Sequence, residues 1–231
     1  LDPLREILMF RTQYRNFGTH QSIVGSFAVD VGGDHAGVRW FELRRTGTGA
    51  WSLYQEGTVA PDSAHRWNSS IAMDGSGNIA LGYSVVDGYS VYPGIRYTGR
   101  QHDDTPGMMT LGEGTIVNGS GVQLLPESRW GDYTSMNVDP VDDCTFWYST
   151  EYEPTDGVFN WATWFGSFKF NGCGTPATPD FSMSASPTSL SLAPGAAGSS
   201  TVTVSAGMRS SHVSHNLATR KCWQRTSAHT T

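Results

Sequence analysis

The stretch "RWNSSIAMDGSGNIALGYS" (residues 66–84) occurs a second time, in diverged form, as "RWGDYTSMNVDPVDDCTFWYS" (residues 129–149). Aligned from Ser70 and Ser135, the copies match over fifteen positions without a gap, and the match pairs Asp74 with Asp139. The second copy carries two additional residues after its Arg-Trp pair. Internal repetition at a fixed spacing indicates a fold built from repeated supersecondary units.

The composition favours β-structure throughout. The 231 residues include 27 glycines, 12% aromatic residues and only 16% charged residues. Short apolar segments alternate with Asp-Gly, Gly-Asn and Pro-Gly turn signals, as in antiparallel hairpins. Four short antiparallel strands per unit, packed face to face around an axis, describe a propeller blade. The sequence therefore predicts an all-β fold in which residues 1–173 form a partial β-propeller of about three blades and part of a fourth.

The remainder of the chain differs in composition. The Pro-rich stretch at 174–180 predicts a linker. Residues 181–207 alternate apolar and polar side chains, which is typical of the first strands of an immunoglobulin-like sandwich, here truncated. Residues 208–231 have no periodicity, so we expect a disordered, aberrant tail. Because the chain starts at Leu1 without an initiator Met, we also expect it to be a piece of a longer or processed precursor.

Charge and hydropathy argue against two kinds of interaction, nucleic-acid binding and membrane spanning. A net charge of −6, with no basic stripe over residues 1–206, argues against a nucleic-acid surface, because duplex binding depends on Lys and Arg. Nowhere do eighteen apolar residues follow one another, so no membrane span is predicted. Low charge and Asn-x-Ser patterns at Asn68 and Asn118 are compatible with a secreted, extracellular protein.

Two of the three cysteines bracket neighbouring predicted strands. Cys144 begins one aromatic strand and Cys173 follows another, so we expect a disulfide between them, with a buried thiol pair as the alternative. Such a bridge would stabilise the fold by roughly 3 to 4 kcal/mol in the chain-entropy model and would indicate an oxidising compartment. Cys222 lies in the aberrant tail and is expected to be free.

The repeated "S-x-x-x-D-x-x-G-N" hairpin resembles a degenerate Asp-box turn of BNR-repeat and sialidase-like propellers. Together with "RWGDYTSMNVDP", "CTFWYSTEY" and "GIRYTGR", it makes residues 5–173 similar to large secreted bacterial proteins whose propeller is followed by immunoglobulin-like repeats. The resemblance implies a secreted propeller. It does not imply an activity, because the sialidase set of three arginines, a Tyr-Glu nucleophile pair and an aspartic acid has no complete match here.

The additional residues of the second repeat lie where a propeller usually binds its ligand. If residues 70–74 and 135–139 are inner strands, the preceding Arg-Trp pairs stand at one mouth of the central channel. Arginine binds carboxylate or sulfate in a bidentate manner, and an indole offers an apolar face to a sugar ring. The predicted ligand-binding residues at this mouth are Arg66, Trp67, Arg129 and Trp130, and the insertion adds Asp132 and Tyr133. In the alternative interpretation, Arg129 pairs with Asp132 and Trp130 packs between blades.

Glu151 supplies a second carboxylate for catalysis. A glycosidase needs two carboxyl groups roughly 5 to 9 Å apart, and Asp132 with Glu151 is the pair we predict, with Tyr133 beside it. The alternative is that Glu151 only marks a solvated strand end. Arg96 stands within a strand, either as an anion ligand or as the ion-pair partner of Glu113.

These features favour an extracellular propeller module that recognises a glycan or another extracellular polymer. The alternatives are a secreted glycoside hydrolase of sialidase-like fold and a structural scaffold for a catalytic region upstream. No His-Glu-x-x-His, Cys-x-x-Cys or calcium loop occurs, so we expect no metal and no cofactor. The sequence does not indicate the oligomeric state.

Overall fold

The computed structural model describes residues 7–124, 130–131, 133–173, 181–189, 191 and 197–206. These residues contain thirteen strands and no helix, so the predicted all-β class is confirmed. The chain divides into two compact units, residues 1–176 and 177–231. The predicted linker at 174–180 and the predicted tail at 208–231 lie outside the described residues.

The first two sheets are four-stranded antiparallel meanders in which each strand pairs with the next one along the chain. The first sheet contains β1 (Gln13–Asn16), β2 (Gln21–Asp30), β3 (Ala36–Arg45) and β4 (Ser52–Val59). The second contains β5 (His65–Met73), β6 (Ile79–Val86), β7 (Gly94–Arg100) and β8 (Gly114–Val117).

The third sheet has three described strands in the order β9-β10-β11, again antiparallel. Its strands are β9 (Ser135–Val138), β10 (Phe146–Tyr152) and β11 (Ala162–Phe168). The second unit contains one antiparallel pair, β12 (Phe181–Ser186) and β13 (Thr201–Ala206). The arrangement of the first unit is compatible with a partial propeller, and the described residues do not form a closed one.

Both faces of the second sheet are buried between its neighbours. Toward the first sheet, the side chains of Ile71 and Tyr83 pack with Trp40 in one apolar cluster. Toward the third sheet, Ala72 packs with Tyr148 in another. Burying each large apolar side chain contributes about 1.5 to 3 kcal/mol, so the strands that are apolar on both faces belong in the middle of the stack.

The two repeated segments form hairpins in adjacent sheets, as the sequence predicts, but their turns differ in length. Met73 pairs with Ile79 across the first turn, whereas Val138 pairs with Phe146 across the second. The second turn is therefore two residues longer, and the gapless alignment is wrong for the second strand of the hairpin. The first turn stays short because Asp74 accepts hydrogen bonds from the backbone N–H groups at positions 76 and 78.

One side chain on β1 joins all three sheets. The guanidinium of Arg15 donates two 2.7 Å hydrogen bonds to the carboxylate of Asp143, in the turn after β9. Its Nε donates to the carbonyl of Met73, at the end of β5. A bidentate Arg–carboxylate pair fixes orientation as well as distance, so this contact holds β1 to the ends of β5 and β9.

A disulfide joins Cys144 and Cys173, as predicted from the sequence. The two Cα atoms are 5.8 Å apart, and 29 positions of sequence separate them. The bridge fastens the start of β10 to the segment that follows β11. Cys222 lies outside the described residues.

Candidate functional site

Those predicted site residues that the structure describes gather at one end of the sheets. In the second sheet, β5 begins there at His65 and β6 ends there at Val86. In the third sheet, β10, the antiparallel partner of β9, ends there at Tyr152. Arg66 and Trp67 are the second and third residues of β5, Trp130 precedes β9, and Glu151 lies near the end of β10. We call this region the site end.

Arg66 is fully engaged by protein groups. Its side chain is 1% exposed, and its nitrogens donate to the carboxylates of Asp62 and Glu113 and to the carbonyl of Ala64, at 2.7 to 3.3 Å. Burial alone would lower the pKa of the guanidinium, but the hydrogen bonds to the two carboxylates outweigh it and raise this pKa above its usual value. Arg66 therefore has no donor turned toward an external anion in this arrangement.

Arg96 lies near the same carboxylate. Its Nε is 3.9 Å from Oε1 of Glu113, and its Nη2 donates to the side-chain oxygen of Asn118 at 2.7 Å. Tyr83 donates its phenolic O–H to Glu113 at 2.8 Å, and burial together with Glu113 raises the pKa of Tyr83. Of the two roles considered for Arg96, this geometry matches the ion pair with Glu113.

The two tryptophans of the Arg-Trp pairs pack against each other between sheets. Trp67 and Trp130 are 3% and 2% exposed, with ring centroids 6.2 Å apart and planes at 61°. The indole N–H of Trp130 donates to the hydroxyl of Ser84 at 3.2 Å. Both rings are buried between sheets, which matches the alternative interpretation that Trp130 packs within the fold.

The insertion of the second repeat lies beside Glu151. Arg129 and Asp132 are outside the described residues, while Tyr133 is 81% exposed. A Cβ atom added to Gly131 would lie 2.3 Å from the Glu151 carboxylate, so the insertion backbone passes directly over that group. The catalytic roles of Asp132, Tyr133 and Glu151 stay predictions.

The residue that follows β10 is a buried acid, and it is not among the predicted site residues. Glu153 is 0% exposed, and neither carboxylate oxygen has a hydrogen-bond partner among the described residues. Burial, with the nearby charges of Asp156 and Glu151, raises its pKa above the ordinary value. Its backbone N–H donates to the carbonyl of Pro93, from a distant loop. The spacing Glu-x-Glu-x-x-Asp is visible in the sequence, but the burial arises from this distant contact and has no local signal.

The outward face of the third sheet exposes aromatic rings. Trp147 on β10 and Phe165 on β11 are 45% and 69% exposed, and the register places them diagonally across the strand pair. The indole N–H of Trp147 donates to Asp139 at 3.0 Å, which fixes its ring. Short polar side chains stand around the rings at alternate positions: Ser135, Asn137, Ser149, Thr163 and Ser167. Glu151 lies on the same face of β10 as Trp147 and Ser149, closer to the site end. We call this surface the open face.

A groove of about 230 Å³ lies elsewhere, against β7 and the segment around the end of β11. Tyr97 and Phe168 stack along it with ring centroids 3.9 Å apart. Phe170, also on its lining, lies against Gly99, where an added Cβ would be 2.3 Å from its ring. None of the predicted site residues line this groove, and its rings are held by packing between the sheets.

Metal ligation has no structural support in the described part of the chain. No group of three or more His, Cys, Asp or Glu side chains is arranged there to hold an ion. In the same part, no helix has the length and apolar character needed to cross a bilayer. No family model, curated protein or solved structure matches this chain.

Proposed function

We propose that this chain is a recognition module that binds an extracellular glycan on the open face. The observation that carries the proposal is the exposure of Trp147 and Phe165 on one face of the third sheet, with hydroxyl and amide groups around them. Exposed apolar surface of this kind marks ligand or partner sites. A pyranose ring has an apolar C–H face that packs on an aromatic ring and hydroxyls that exchange hydrogen bonds with Ser, Thr and Asn side chains.

The predicted residues at the site end are less accessible to a ligand than the side chains of the open face. Arg66 is saturated by two carboxylates, and the rings of Trp67 and Trp130 are buried. Glu151 belongs to both regions, since it alternates with Trp147 on β10 and lies beneath Gly131. A ligand on the open face would therefore extend toward the insertion and its exposed Tyr133.

A glycan array followed by affinity electrophoresis with the polysaccharides that bind tests this proposal. Trp147→Ala and Phe165→Ala should each weaken binding about tenfold, equivalent to about 1.4 kcal/mol, because each removes one ring contact. Tyr89→Ala is the matched control, because Tyr89 is 98% exposed on the loop between β6 and β7 and lies off the open face. Equal binding by all four proteins, or no binding to any glycan, would contradict the proposal.

A glycoside hydrolase is the second candidate, and one observation favours it. Glu151 and Glu153 stand two residues apart in different environments, and the pKa of the buried Glu153 is raised by burial and by its acidic neighbours. A carboxyl group whose pKa is raised by burial is suited to act as the general acid of such an enzyme. Turnover of chromogenic glycosides that disappears in Glu151→Gln would favour this candidate over simple recognition.

An oxidising, extracellular location fits the proposed ligand. The disulfide between Cys144 and Cys173 is the kind of bond that persists in such compartments. Of the two Asn-x-Ser patterns, Asn68 is 2% exposed and is a poor acceptor for a sugar once the chain has folded. Asn118 is more accessible, and its side-chain oxygen accepts a hydrogen bond from Arg96. Enzymatic deglycosylation of secreted protein would show whether Asn118 carries a glycan.

A further inference from the structure

The third sheet ends in an open strand edge. In the first and second sheets the third strand is covered by a fourth, β4 or β8. In the third sheet, β11 pairs with β10 over all seven of its residues and has no further strand beside it among the described ones. An uncovered edge presents a row of backbone N–H and C=O groups that can template another strand.

The sequence of β11 does nothing to blunt this edge. Ala162–Phe168 reads "ATWFGSF", with no charge and no proline. Proteins that keep such edges single usually place Lys, Pro or a bulge on them. Here Trp164 and Phe165 are 46% and 69% exposed, and the first charged residue, Lys169, comes only after the strand ends.

We propose that β11 pairs edge to edge with β11 of a second copy of this chain. The antiparallel register centred on Phe165 uses the whole strand and gives a two-fold symmetric contact. It opposes Thr163 to Ser167 and Trp164 to Gly166 of the other copy, and the two Phe165 rings to each other. Each bulky side chain other than Phe165 thus meets a small one, and aromatic pairs such as the two Phe165 rings stabilise cross-strand contacts.

The packing beneath β11 is consistent with this register. Gly166 lies against Ile116 of the second sheet, where an added Cβ would be 2.6 Å from that side chain, so no larger residue fits there. Because Ile116 fills the space over Gly166, Trp164 of the second copy would meet an apolar side chain at this position. Trp164 points to the same face as Gly166, and it is held by an edge-on contact with Tyr152 at 6.0 Å.

The paired sheets would form one continuous six-stranded surface. Its outer side would carry the open faces of both copies next to each other, with Phe165 at the centre and Trp147 on either side. One polymer molecule could then contact two adjacent open faces, and binding at two linked sites raises the apparent affinity. The pairing itself does not depend on glycan binding.

Light scattering on the full chain after size-exclusion chromatography tests the pairing. The parent should have twice its chain mass of 25.1 kDa. Thr163→Lys with Ser167→Lys places lysine opposite lysine in both symmetry-related pairs and should raise the dimer dissociation constant by tenfold or more. The matched control, Thr163→Lys with Ser167→Glu, places opposite charges in both pairs and should restore the dimer. Both positions are exposed, so neither pair of substitutions disturbs the core.

Three results would overturn the inference. The first is a parent that stays at 25.1 kDa at its highest soluble concentration. The second is a set of three proteins with the same mass, because the register then has no influence on assembly. The third is growth into assemblies larger than two copies, because a two-fold contact through a single edge closes after one pairing. Circular dichroism of each variant verifies that its sheets are intact.

Discussion

The second and third sheets begin from the same repeated hairpin, yet they differ in what covers them. β5 and β6 are buried along almost their whole length, because the second sheet lies between two neighbours. β10 alternates between buried and accessible side chains, and β11 is mostly accessible. A repeat therefore specifies a hairpin, while its position in the stack decides whether the outward face becomes core or surface.

Within the single strand β10, one side chain contributes to stability and its neighbour to the proposed recognition surface. Tyr148 and Trp147 are adjacent on β10, with exposed fractions of 1% and 45%. Tyr148 lies against Gly82 of the second sheet, and Trp147 lies on the open face. Substitutions at these two positions should have opposite consequences, one for folding and one for binding.

The largest effect is expected from Tyr148→Ala, which should lower the free energy of unfolding by about 3 to 5 kcal/mol because it empties a buried aromatic site. Tyr148→Phe keeps the ring but loses the hydroxyl, which accepts a 2.7 Å hydrogen bond from Thr134 and donates to the carbonyl of Asn68 at 3.3 Å. It should cost about 1 kcal/mol. Urea unfolding measures both, and equal costs would mean that ring packing does not hold the two sheets together.

Removing the disulfide should come next. Cys144→Ser with Cys173→Ser should cost roughly 3 to 4 kcal/mol in the chain-entropy model, because the bridge closes a loop of 29 positions. The loss should concentrate in the third sheet, where the bridge lies. Hydrogen exchange of β10 and β11 compared with β6 distinguishes a local from a uniform loss, and faster exchange in β6 alone would contradict the expectation.

Glu153 should make the site end sensitive to pH. Its folded pKa is raised above the ordinary carboxyl value, so the stability it contributes is present below that ordinary value and is lost as pH rises through the folded pKa. Glu153→Gln should therefore melt close to the parent at pH 4 and at a higher temperature than the parent above neutral pH. A parent as stable as the variant at pH 8 would show that Glu153 stays neutral or finds a partner.

Asp87 provides a control of opposite sign. Backbone N–H groups of the loop after β6, that of Val91 foremost, lower the pKa of Asp87 to about 2. Its contribution to stability is present above the unfolded pKa near 3.8 and is lost as pH falls toward 2. Asp87→Asn should therefore lower the melting temperature at pH 7 and have little effect at pH 2. A variant that melts like the parent at pH 7 would contradict this assignment.

The smallest effect on folding is expected from Trp147→Ala. Its ring is half exposed, so the free energy of unfolding should change by about 0.5 kcal/mol or less, since surface substitutions seldom do more. Chemical denaturation beside Tyr148→Ala makes the comparison direct. A loss of several kcal/mol would mean that Trp147 belongs to the core and that the open face is not a separate surface.

The hairpins, the all-β class and the disulfide could be predicted because each leaves a local pattern. Turn residues and short apolar segments mark the strands, and Cys144 and Cys173 bracket adjacent strands. The register of the second repeat could not be predicted in this way. Asp142 accepts hydrogen bonds from the N–H groups of Cys144 and Thr145, and this adds a second loop within the turn. A gapless sequence alignment does not reveal that loop.

The site was harder to predict because burial depends on distant segments. The "CTFWYSTEY" stretch is apolar at successive positions, so its periodicity does not tell which of Trp147 and Tyr148 faces outward. Trp130 looks like a ligand platform until Trp67, far away in sequence, is placed against it. The Arg15 to Asp143 contact joins residues 128 positions apart and has no local signal at all.

Hydroxyl-radical footprinting in the presence of a bound polysaccharide shows directly whether the open face of the third sheet is the recognition surface. We expect oxidation of Trp147 and Phe165 to slow when the glycan is added, while oxidation of Tyr89 stays unchanged. Slower oxidation of Tyr133 with no change at Trp147 and Phe165 would contradict it, because the ligand would then lie at the insertion of the second repeat and not on the open face.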